Sequence, residues 1–234
     1  MKIHKLGIIG YGGFGQFLHN AWKNLQNLKI AAVADEKFSQ NVENKIRSYK
    51  NYKDLLKGKD IDIVAIATLP CMHAQMACDA MNSGRHVFIE KPIAITMEDA
   101  ENVIATRDKT NRKAGIDYML RFNPIINAIK ILGYKNTFGK LCHVNVQNYA
   151  QDNLLPAHHW FWKPEISGGI LIEHGVHFID VVNSLTSERC KNVVGFSHSR
   201  TKGLEDQFTA NCIYDNGLIA THYHSFSRPG FFEN

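Results

Sequence analysis

Glycines cluster near the start of this 234-residue sequence in a pattern suited to one kind of chemistry. Residues 10–15, GYGGFG, fit the pattern G-x-G-x-x-G. They follow a predicted strand and open a predicted helix, and Asp35 ends the next predicted strand twenty residues after Gly15. This setting predicts a turn that binds a dinucleotide. A structural glycine turn without a ligand is the alternative.

Each residue of the turn has a predicted role in binding the dinucleotide. Gly10 permits the tight turn, Gly12 lets the pyrophosphate approach, and Gly15 lets the helix pack against the strand. The N–H groups at the start of the helix, which include those of Gly13 and Phe14, then face the phosphates.

The acidic residue after the second strand predicts the choice of nucleotide. Asp35 would accept hydrogen bonds from the adenosine ribose hydroxyls and repel a 2′-phosphate. This favours NAD over NADP, and Lys37 nearby softens the preference, so NADP stays open as a cofactor.

A second motif ends another predicted strand with Glu90-Lys91-Pro92. Ligands of open α/β sheets bind at the carboxyl ends of the strands. Lys91 is therefore predicted to point into the same crevice as the glycine turn. A surface lysine at a strand end is the alternative reading.

Aromatic and imidazole side chains are concentrated in residues 157–162, AHHWFW. Stacked rings with imidazole donors suit a sugar, whose faces are apolar and whose rim carries hydroxyls. His158, His159 and Trp160 are candidates for the substrate lining. The alternative is a hydrophobic plug between a loop and a sheet.

The elements that must position these residues divide the chain in two. Before residue 120, short β-like runs alternate with helical patterns, which predicts parallel βαβ units. The predicted strands are Lys5–Ile9, Leu28–Ala34, Ile61–Ala67, His86–Ile89 and Ala114–Tyr118, and the predicted helices are Phe14–Asn24, Cys71–Asn82 and Met97–Arg112. Thr96, with Asp99 three residues on, predicts the start of the last helix.

After about Leu120 the pattern changes to that of an α+β domain. Helices are predicted at Asn123–Leu132 and near Gly169–Leu185, and strands at Leu141–Ala150, Asn192–Arg200, Gln207–Tyr214 and Leu218–Phe226. The sequence DNG at 215–217 predicts a hairpin between the last two strands. The fold class is thus an N-terminal, doubly wound parallel sheet (residues 1–120) followed by an α+β domain with a mostly antiparallel sheet (residues 121–234).

Composition excludes several classes of function. The net charge of +5 is mild and its lysines are dispersed, which argues against nucleic acid as a partner. The five cysteines are scattered without C-x-x-C, as expected of reduced thiols. The sequence contains no apolar run of the length that a membrane helix needs. A cytoplasmic protein that binds no membrane is the expectation.

The sequence resembles the glucose–fructose oxidoreductase / inositol dehydrogenase (Gfo/Idh/MocA) family. The resemblance rests on residues 7–15, 60–94, 117–124 and 167–180, and the E-K-P segment preceded by H-V is specific to the group. It implies a Rossmann domain, a mostly antiparallel second domain and NAD(P)-dependent oxidation of a secondary alcohol on a sugar or cyclitol, or the reverse reduction. A homo-oligomer, a dimer or tetramer formed through the second sheet, is expected with it.

The resemblance also implies roles for individual residues. Lys91 matches the active-site lysine that contacts cofactor and substrate, and His177 matches the catalytic histidine. Glu173 stands where many members have aspartate. The remaining matches are Thr68, Pro70, His73 and Glu90 beside the cofactor, and Tyr118 and Arg121 in the segment that joins the domains.

These matches lead to a predicted division of labour. His177 is the principal base, since its ordinary pKa is already about 6.5. Lys91 polarises the same oxygen and relays the proton, and Glu173, four residues from His177 on one helical face, supports the imidazole. The roles of Lys91 and His177 can be exchanged without contradicting the sequence.

The stretch EHGVH, residues 173–177, also raises the question of a metal. Its order is not H-E-x-x-H, and His174 and His177 are only three residues apart. No metal is therefore predicted. His174 is expected either to face the substrate or to pack.

The early end of the sequence favours a rival function, that of a catalytically impaired NAD(P)-binding sensor or remnant. Family members typically exceed three hundred residues, whereas this sequence stops at Asn234, so the chain is expected to be C-terminally shortened and its second sheet incomplete. The family's glycine triplet, reduced here to Gly168-Gly169-Ile170, is a further departure from the family pattern.

Overall fold

The structure is a computed structural model that describes residues 2–37, 42, 46–135, 137–151, 155–201 and 203–228. The chain divides into two compact units, Met1–Asp117 and Tyr118–Asn234.

The first unit is built on a parallel sheet. Its strands are β1 (His4–Ile9), β2 (Leu28–Ala34), β3 (Arg47–Tyr49), β4 (Ile63–Ile66), β5 (His86–Ile89) and β6 (Ala114–Ile116). Their order is β3-β2-β1-β4-β5-β6, and every pair is parallel. This is the order of a doubly wound dinucleotide-binding sheet, which confirms the predicted fold class.

Buried apolar runs explain why the central strands form. Ile8, Val64 and Ile66 are fully buried, as both faces of a parallel sheet require. The helices of the unit are α1 (Gly13–Trp22), α2 (Tyr52–Lys57), α3 (His73–Asn82) and α4 (Met97–Thr110). Thr96 caps α4 as predicted, because its hydroxyl accepts the amide of Asp99 at 3.1 Å.

Sequence patterns missed β3 and α2. The three residues of β3 are too few to show a period, and its first two are exposed. The six residues of α2 bury only Leu55 and Leu56. The cap at Asn51, whose side chain accepts the amide of Lys53, was the available signal for α2.

The second unit contains a mixed sheet. Its strands are β7 (His143–Gln151), β8 (Cys190–Thr201), β9 (Leu204–Tyr214) and β10 (Ile219–Arg228), in the order β7-β10-β9-β8. Pairs β10–β9 and β9–β8 are antiparallel, and β10–β7 is parallel. The predicted mostly antiparallel sheet and its hairpin at residues 215–217 are present.

The helices of the second unit are α5 (Pro124–Tyr134), α6 (Pro164–Ser167) and α7 (Val176–Ser184). The regular helix predicted from Gly169 is interrupted, since Leu171–Gly175 forms a π-helical turn ahead of α7. A Cβ at Gly175 would lie 2.6 Å from Cζ of the buried Phe208, so the ring would have to move for any other residue to stand there. No helix in the part of the chain that the structure describes is long and apolar enough to cross a membrane.

Candidate functional site

The glycine turn joins β1 to α1. At two of its residues, Gly10 and Gly15, the backbone lies very close to neighbouring backbone. Gly10 has a φ of +87°, and a Cβ there would lie 2.4 Å from the carbonyl oxygen of Ala67. A Cβ at Gly15 would lie 1.9 Å from the carbonyl oxygen of Gly10. Side chains at these positions cannot be accommodated, as the predicted tight turn and close helix packing require.

The other two glycines border open space. A Cβ at Gly12 or Gly13 would meet no atom within 4 Å. Gly12 also precedes α1 without a side chain that caps the helix, so the amides of the first turn are directed outward. Phe14 is exposed on this turn, beside Phe17 at 5.4 Å between ring centroids. An exposed cradle of amides at a helix N-terminus fits a pyrophosphate.

Asp35 lies directly beside the turn, at the end of β2. Its Oδ2 accepts the amide of Tyr11 at 2.7 Å, and its Oδ1 accepts the amide of Lys37 at 2.8 Å. These bonds orient the half-buried carboxylate, and each oxygen keeps a lone pair for a further donor. The residues present therefore fit the phosphates and ribose of a dinucleotide.

Thr68, Pro70 and His73 follow β4 at the same edge of the sheet. Thr68 is half-buried and its methyl group approaches Gly10, while Pro70 is buried. His73, the first residue of α3, is only 1% exposed. The structure thus places these three predicted cofactor residues near the turn but covers two of them with protein.

Glu90 and Asp117 end adjacent strands. The Asp117 amide donates to the carbonyl of Ile89 at 2.9 Å, which aligns the ends of β5 and β6. Burial and, after it, the neighbouring Asp117 carboxylate raise the pKa of Glu90 to about 8, against the opposing effect of the Lys91 charge. Glu90 is therefore protonated at neutral pH. Sequence reasoning missed Asp117, although two acids that end neighbouring strands were a usable signal.

We expect Glu90→Gln to stabilise the protein in a pH-dependent way. An unfolded glutamate ionises near its ordinary pKa of 4.5, whereas folded Glu90 keeps its proton to about pH 8. The wild type therefore loses stability as the pH rises from 4.5 to 8, and glutamine escapes that loss. The gain should be about 2–4 kcal/mol at pH 8 and absent at pH 4, as measured by urea unfolding. The exposed control Glu101→Gln should show no such pH dependence, and an equal effect of Glu90→Gln at every pH would contradict the argument.

Lys91 is half-buried and directly follows Glu90. The Glu90 amide donates to the carbonyl of Ile66 at 2.9 Å, which places Lys91 just beyond the carboxyl end of β5. This is the edge at which β1 passes into the glycine turn. Within the first unit, Lys91 and the turn therefore lie on the same edge of the sheet.

In the second unit, the predicted catalytic residues lie on and just after the π-helical turn. Glu173 is buried within the turn, and His177 is half-buried in the first turn of α7. Such turns often occur at functional sites. His174 packs inward, with its Nε2 at 2.8 Å from Oδ1 of Asn148 on β7.

Beneath this segment, β10 carries two buried histidines. His222 and His224 are at most 1% exposed, and none of their ring nitrogens has a hydrogen-bond partner among the described residues. His224 stacks on Phe208 with ring centroids 4.6 Å apart. Burial lowers the pKa of His224 to about 3, so its ring is neutral and serves as packing.

Arg121 and Asp180 form a bidentate ion pair. Nε and Nη2 of Arg121 donate to the two oxygens of Asp180 at 2.6 and 2.7 Å. The carboxylate is buried, and the guanidinium side chain is about half exposed. Burial together with the Asp180 charge raises the pKa of Tyr118 nearby. Arg121 thus joins the segment after Tyr118 to α7, a contact that the sequence did not reveal.

We expect Arg121→Ala to cost about 2–3 kcal/mol of unfolding free energy, because it leaves the buried Asp180 carboxylate without its partner. Arg121→Lys, which keeps the charge but loses the bidentate geometry, should cost less. Urea unfolding at pH 7 measures both. A loss below 0.5 kcal/mol for the alanine variant, the level of an ordinary surface substitution, would show that the pair is unimportant.

The aromatic loop packs largely on its own unit. Trp160 is half-buried against the cluster that contains Phe161 and Phe226. Nδ1 of His159 accepts the amide of Phe161 at 3.2 Å, and His158 is exposed. Of the three predicted lining residues, only His158 is fully at the surface. In the described ranges, no group of three or more ligating side chains could hold a metal ion.

The fold and the glycine turn define a class of protein, the oxidoreductases with an NAD-binding Rossmann domain. The profile described as "Oxidoreductase family, NAD-binding Rossmann fold" matches residues 4–118. The profile described as "GFO/IDH/MocA C-terminal domain" matches residues 127–233. The chain belongs to the Gfo/Idh/MocA family, as its motifs predicted.

Individual relatives are more distant. The chain is 26% identical to 1,5-anhydro-D-fructose reductase of Ensifer adhaerens and 27% identical to glucose-6-phosphate 3-dehydrogenase of Bacillus subtilis, matching over 77% and 76% of its own length. It spans about half the length of these relatives, 55% and 52%. Scyllo-inositol dehydrogenase from Lactobacillus casei, solved with NAD(H) and scyllo-inositol, superposes with a TM-score of 0.83 over 98% of this chain and 71% of that one at 22% identity, which shows the shared fold.

Proposed function

We propose that this protein transfers a hydride between a nicotinamide nucleotide and a secondary alcohol or ketone of a sugar, inositol or related polyol. The observation that carries the proposal is the open backbone at Gly12 and Gly13, which lies at the same sheet edge as Lys91. The names of the relatives, a sugar reductase and a sugar-phosphate dehydrogenase, support the substrate class.

In this proposal the first unit binds the nucleotide and the second binds the substrate. Residues 1–120 bind the nucleotide through the glycine turn, Asp35 and the segment at Thr68. Residues 121–234 bind the substrate and supply His177. A bound nicotinamide would supply the hydride acceptor or donor.

The chain's own groups would move the proton. His177 takes the proton of the reacting hydroxyl, and its half-buried position keeps it within reach of a ligand. Buried Glu173, on the preceding turn, stabilises the imidazolium that results. Lys91 polarises the reacting oxygen with its charge, next to a Glu90 that is neutral and so does not cancel it.

The experiment is a titration with NADH followed by a screen of polyols and sugars with NAD⁺, read as absorbance of the reduced nucleotide. Binding together with turnover of at least one polyol supports the proposal. Binding without turnover favours the rival function of a sensor, and failure to bind either nucleotide contradicts both.

Asp35 gives a separate prediction about the nucleotide. Its carboxylate beside the turn should repel a 2′-phosphate, so NADH should bind more tightly than NADPH. We expect Asp35→Ala to lower the ratio of the NADPH dissociation constant to the NADH dissociation constant about tenfold, equivalent to about 1.4 kcal/mol. Fluorescence titration of both nucleotides measures this. The neighbouring Glu36→Ala is a control that should leave the ratio unchanged, and tighter NADPH binding by the wild type would refute this role for Asp35.

The outer face of the second sheet supports the proposed homo-oligomer. Five large apolar side chains of this sheet are each at least 43% exposed: Val194, Phe196, Ile213, Ile219 and Tyr149. The strand register puts all five on one face. Exposed apolar side chains on one face of a sheet favour association with a second copy. Sedimentation of the wild type and of Phe196→Glu tests it, with a shift toward monomer expected for the variant.

A further inference from the structure

His73 is a buried imidazole that bridges two strand-end loops. Its Nδ1 lies 2.7 Å from the carbonyl oxygen of Pro92, in the segment that carries Lys91. Its Nε2 lies 3.1 Å from the carbonyl oxygen of Thr68, in the loop after β4. At 1% exposure the ring offers no surface to a ligand.

The segment that carries Lys91 leaves the sheet at this point. The Glu90 amide still donates to the carbonyl of Ile66 on β4. Pro92, two residues on, has no amide of its own to bond with. Its carbonyl, which faces Nδ1 of His73, is one group through which the segment is held.

The chemistry of the ring makes one of its two contacts the stronger. Burial lowers the pKa of His73, which keeps the ring neutral with a single N–H. The shorter contact, at 2.7 Å, assigns that hydrogen to Nδ1 and makes the Pro92 carbonyl its acceptor. Nε2 then contributes no donor to Thr68.

We propose that His73 is a positioning residue that fixes Lys91 for the reaction through the hydrogen bond from Nδ1 to the Pro92 carbonyl. The inference rests on the proposed function of Lys91 and assigns His73 no contact with cofactor or substrate. It replaces the direct role in cofactor binding that the sequence had suggested for this residue.

Three variants separate the two ring nitrogens. Asparagine places an amide N–H where Nδ1 is, glutamine places one nearer to Nε2, and leucine fills the space without a donor. We expect His73→Leu to lower kcat about 100-fold, the scale of a small misplacement of a catalytic group. His73→Gln should have the same low kcat as His73→Leu. His73→Asn should have a kcat within about threefold of the wild-type value.

Hydrogen exchange provides a readout that does not need turnover. The backbone amides of residues 91, 93 and 94 should exchange about tenfold faster in His73→Leu, because the hydrogen bond to the Pro92 carbonyl is lost. They should exchange at the wild-type rate in His73→Asn, because asparagine restores that bond. Each variant is first checked for a cooperative unfolding transition. NADH affinity is measured alongside and should change less than threefold, a small free-energy difference.

The outcomes distinguish this inference from the proposed function. Rescue of kcat and of exchange by asparagine, but not by glutamine, supports it. Equal loss in all three variants, or unchanged exchange in His73→Leu, overturns it while the proposed function stands. If the wild type turns over no polyol, the proposed function fails, and the exchange experiment alone still decides whether His73 holds the Lys91 segment.

Discussion

Replacing Lys91 or His177 by alanine should lower kcat about 100- to 10,000-fold, the range that a positioned acid or base contributes. In the proposed mechanism, each variant removes a group that holds charge or a proton at the reacting oxygen, while the glycine turn stays intact. NADH affinity should therefore remain within a few-fold of the wild type. Steady-state kinetics with the best polyol, together with NADH titration, measure both effects.

The matched control for the lysine is Lys109→Ala, an exposed lysine near the end of α4, which should leave kcat unchanged. Lys91→Arg keeps the charge and separates polarisation from proton transfer, since arginine cannot lose its proton. If both residues act on one step, the double variant should lose less than the product of the single losses. Near-normal turnover in either alanine variant would remove that residue from the mechanism.

Gly15→Ala and Gly12→Ala should change different properties, although both add one methyl group to the same turn. The first should lower stability, and the second should weaken nucleotide binding. The added Cβ of Gly15→Ala would lie 1.9 Å from the Gly10 carbonyl oxygen, so the turn must move. We expect a loss of about 3 kcal/mol or more in unfolding free energy. Thermal and urea unfolding of the protein without nucleotide measure this loss.

The Cβ of Gly12→Ala meets no protein atom, and its φ of −72° suits alanine. Stability should therefore stay within about 0.5 kcal/mol of the wild type. NADH affinity should fall about 100-fold, because the methyl group occupies the path of the pyrophosphate. A Gly12→Ala variant that binds NADH normally would show that the nucleotide does not lie against this turn.

The sequence by itself determined much of the first unit. Runs such as 63–66 and 87–89 are apolar throughout, and a parallel sheet buries both faces of its strands, so local composition was sufficient. The glycine turn and the cap at Thr96 are equally local, since each depends on a few neighbouring residues. The short β3 and α2 escaped notice because three and six residues do not establish a period.

Tertiary structure decided the environment of the candidate site residues. The pKa of Glu90 is raised by burial and by Asp117, which lies 27 residues away and reaches it only through the pairing of β5 with β6. The Asp180 carboxylate binds Arg121, which lies 59 residues earlier in the chain. Burial and distant partners determine the charge and the orientation of these side chains, and a local sequence pattern predicts neither.

The two histidines His73 and His177 illustrate the same division. Motifs in the sequence selected both as site residues, but only the packed structure shows His73 enclosed between two carbonyl oxygens and His177 half-buried after a π-helical turn. The sequence determined which residue types stand at the strand and helix ends. Packing, which excludes water and brings distant backbone together, decided which of them can meet a ligand and which can act only through a neighbour.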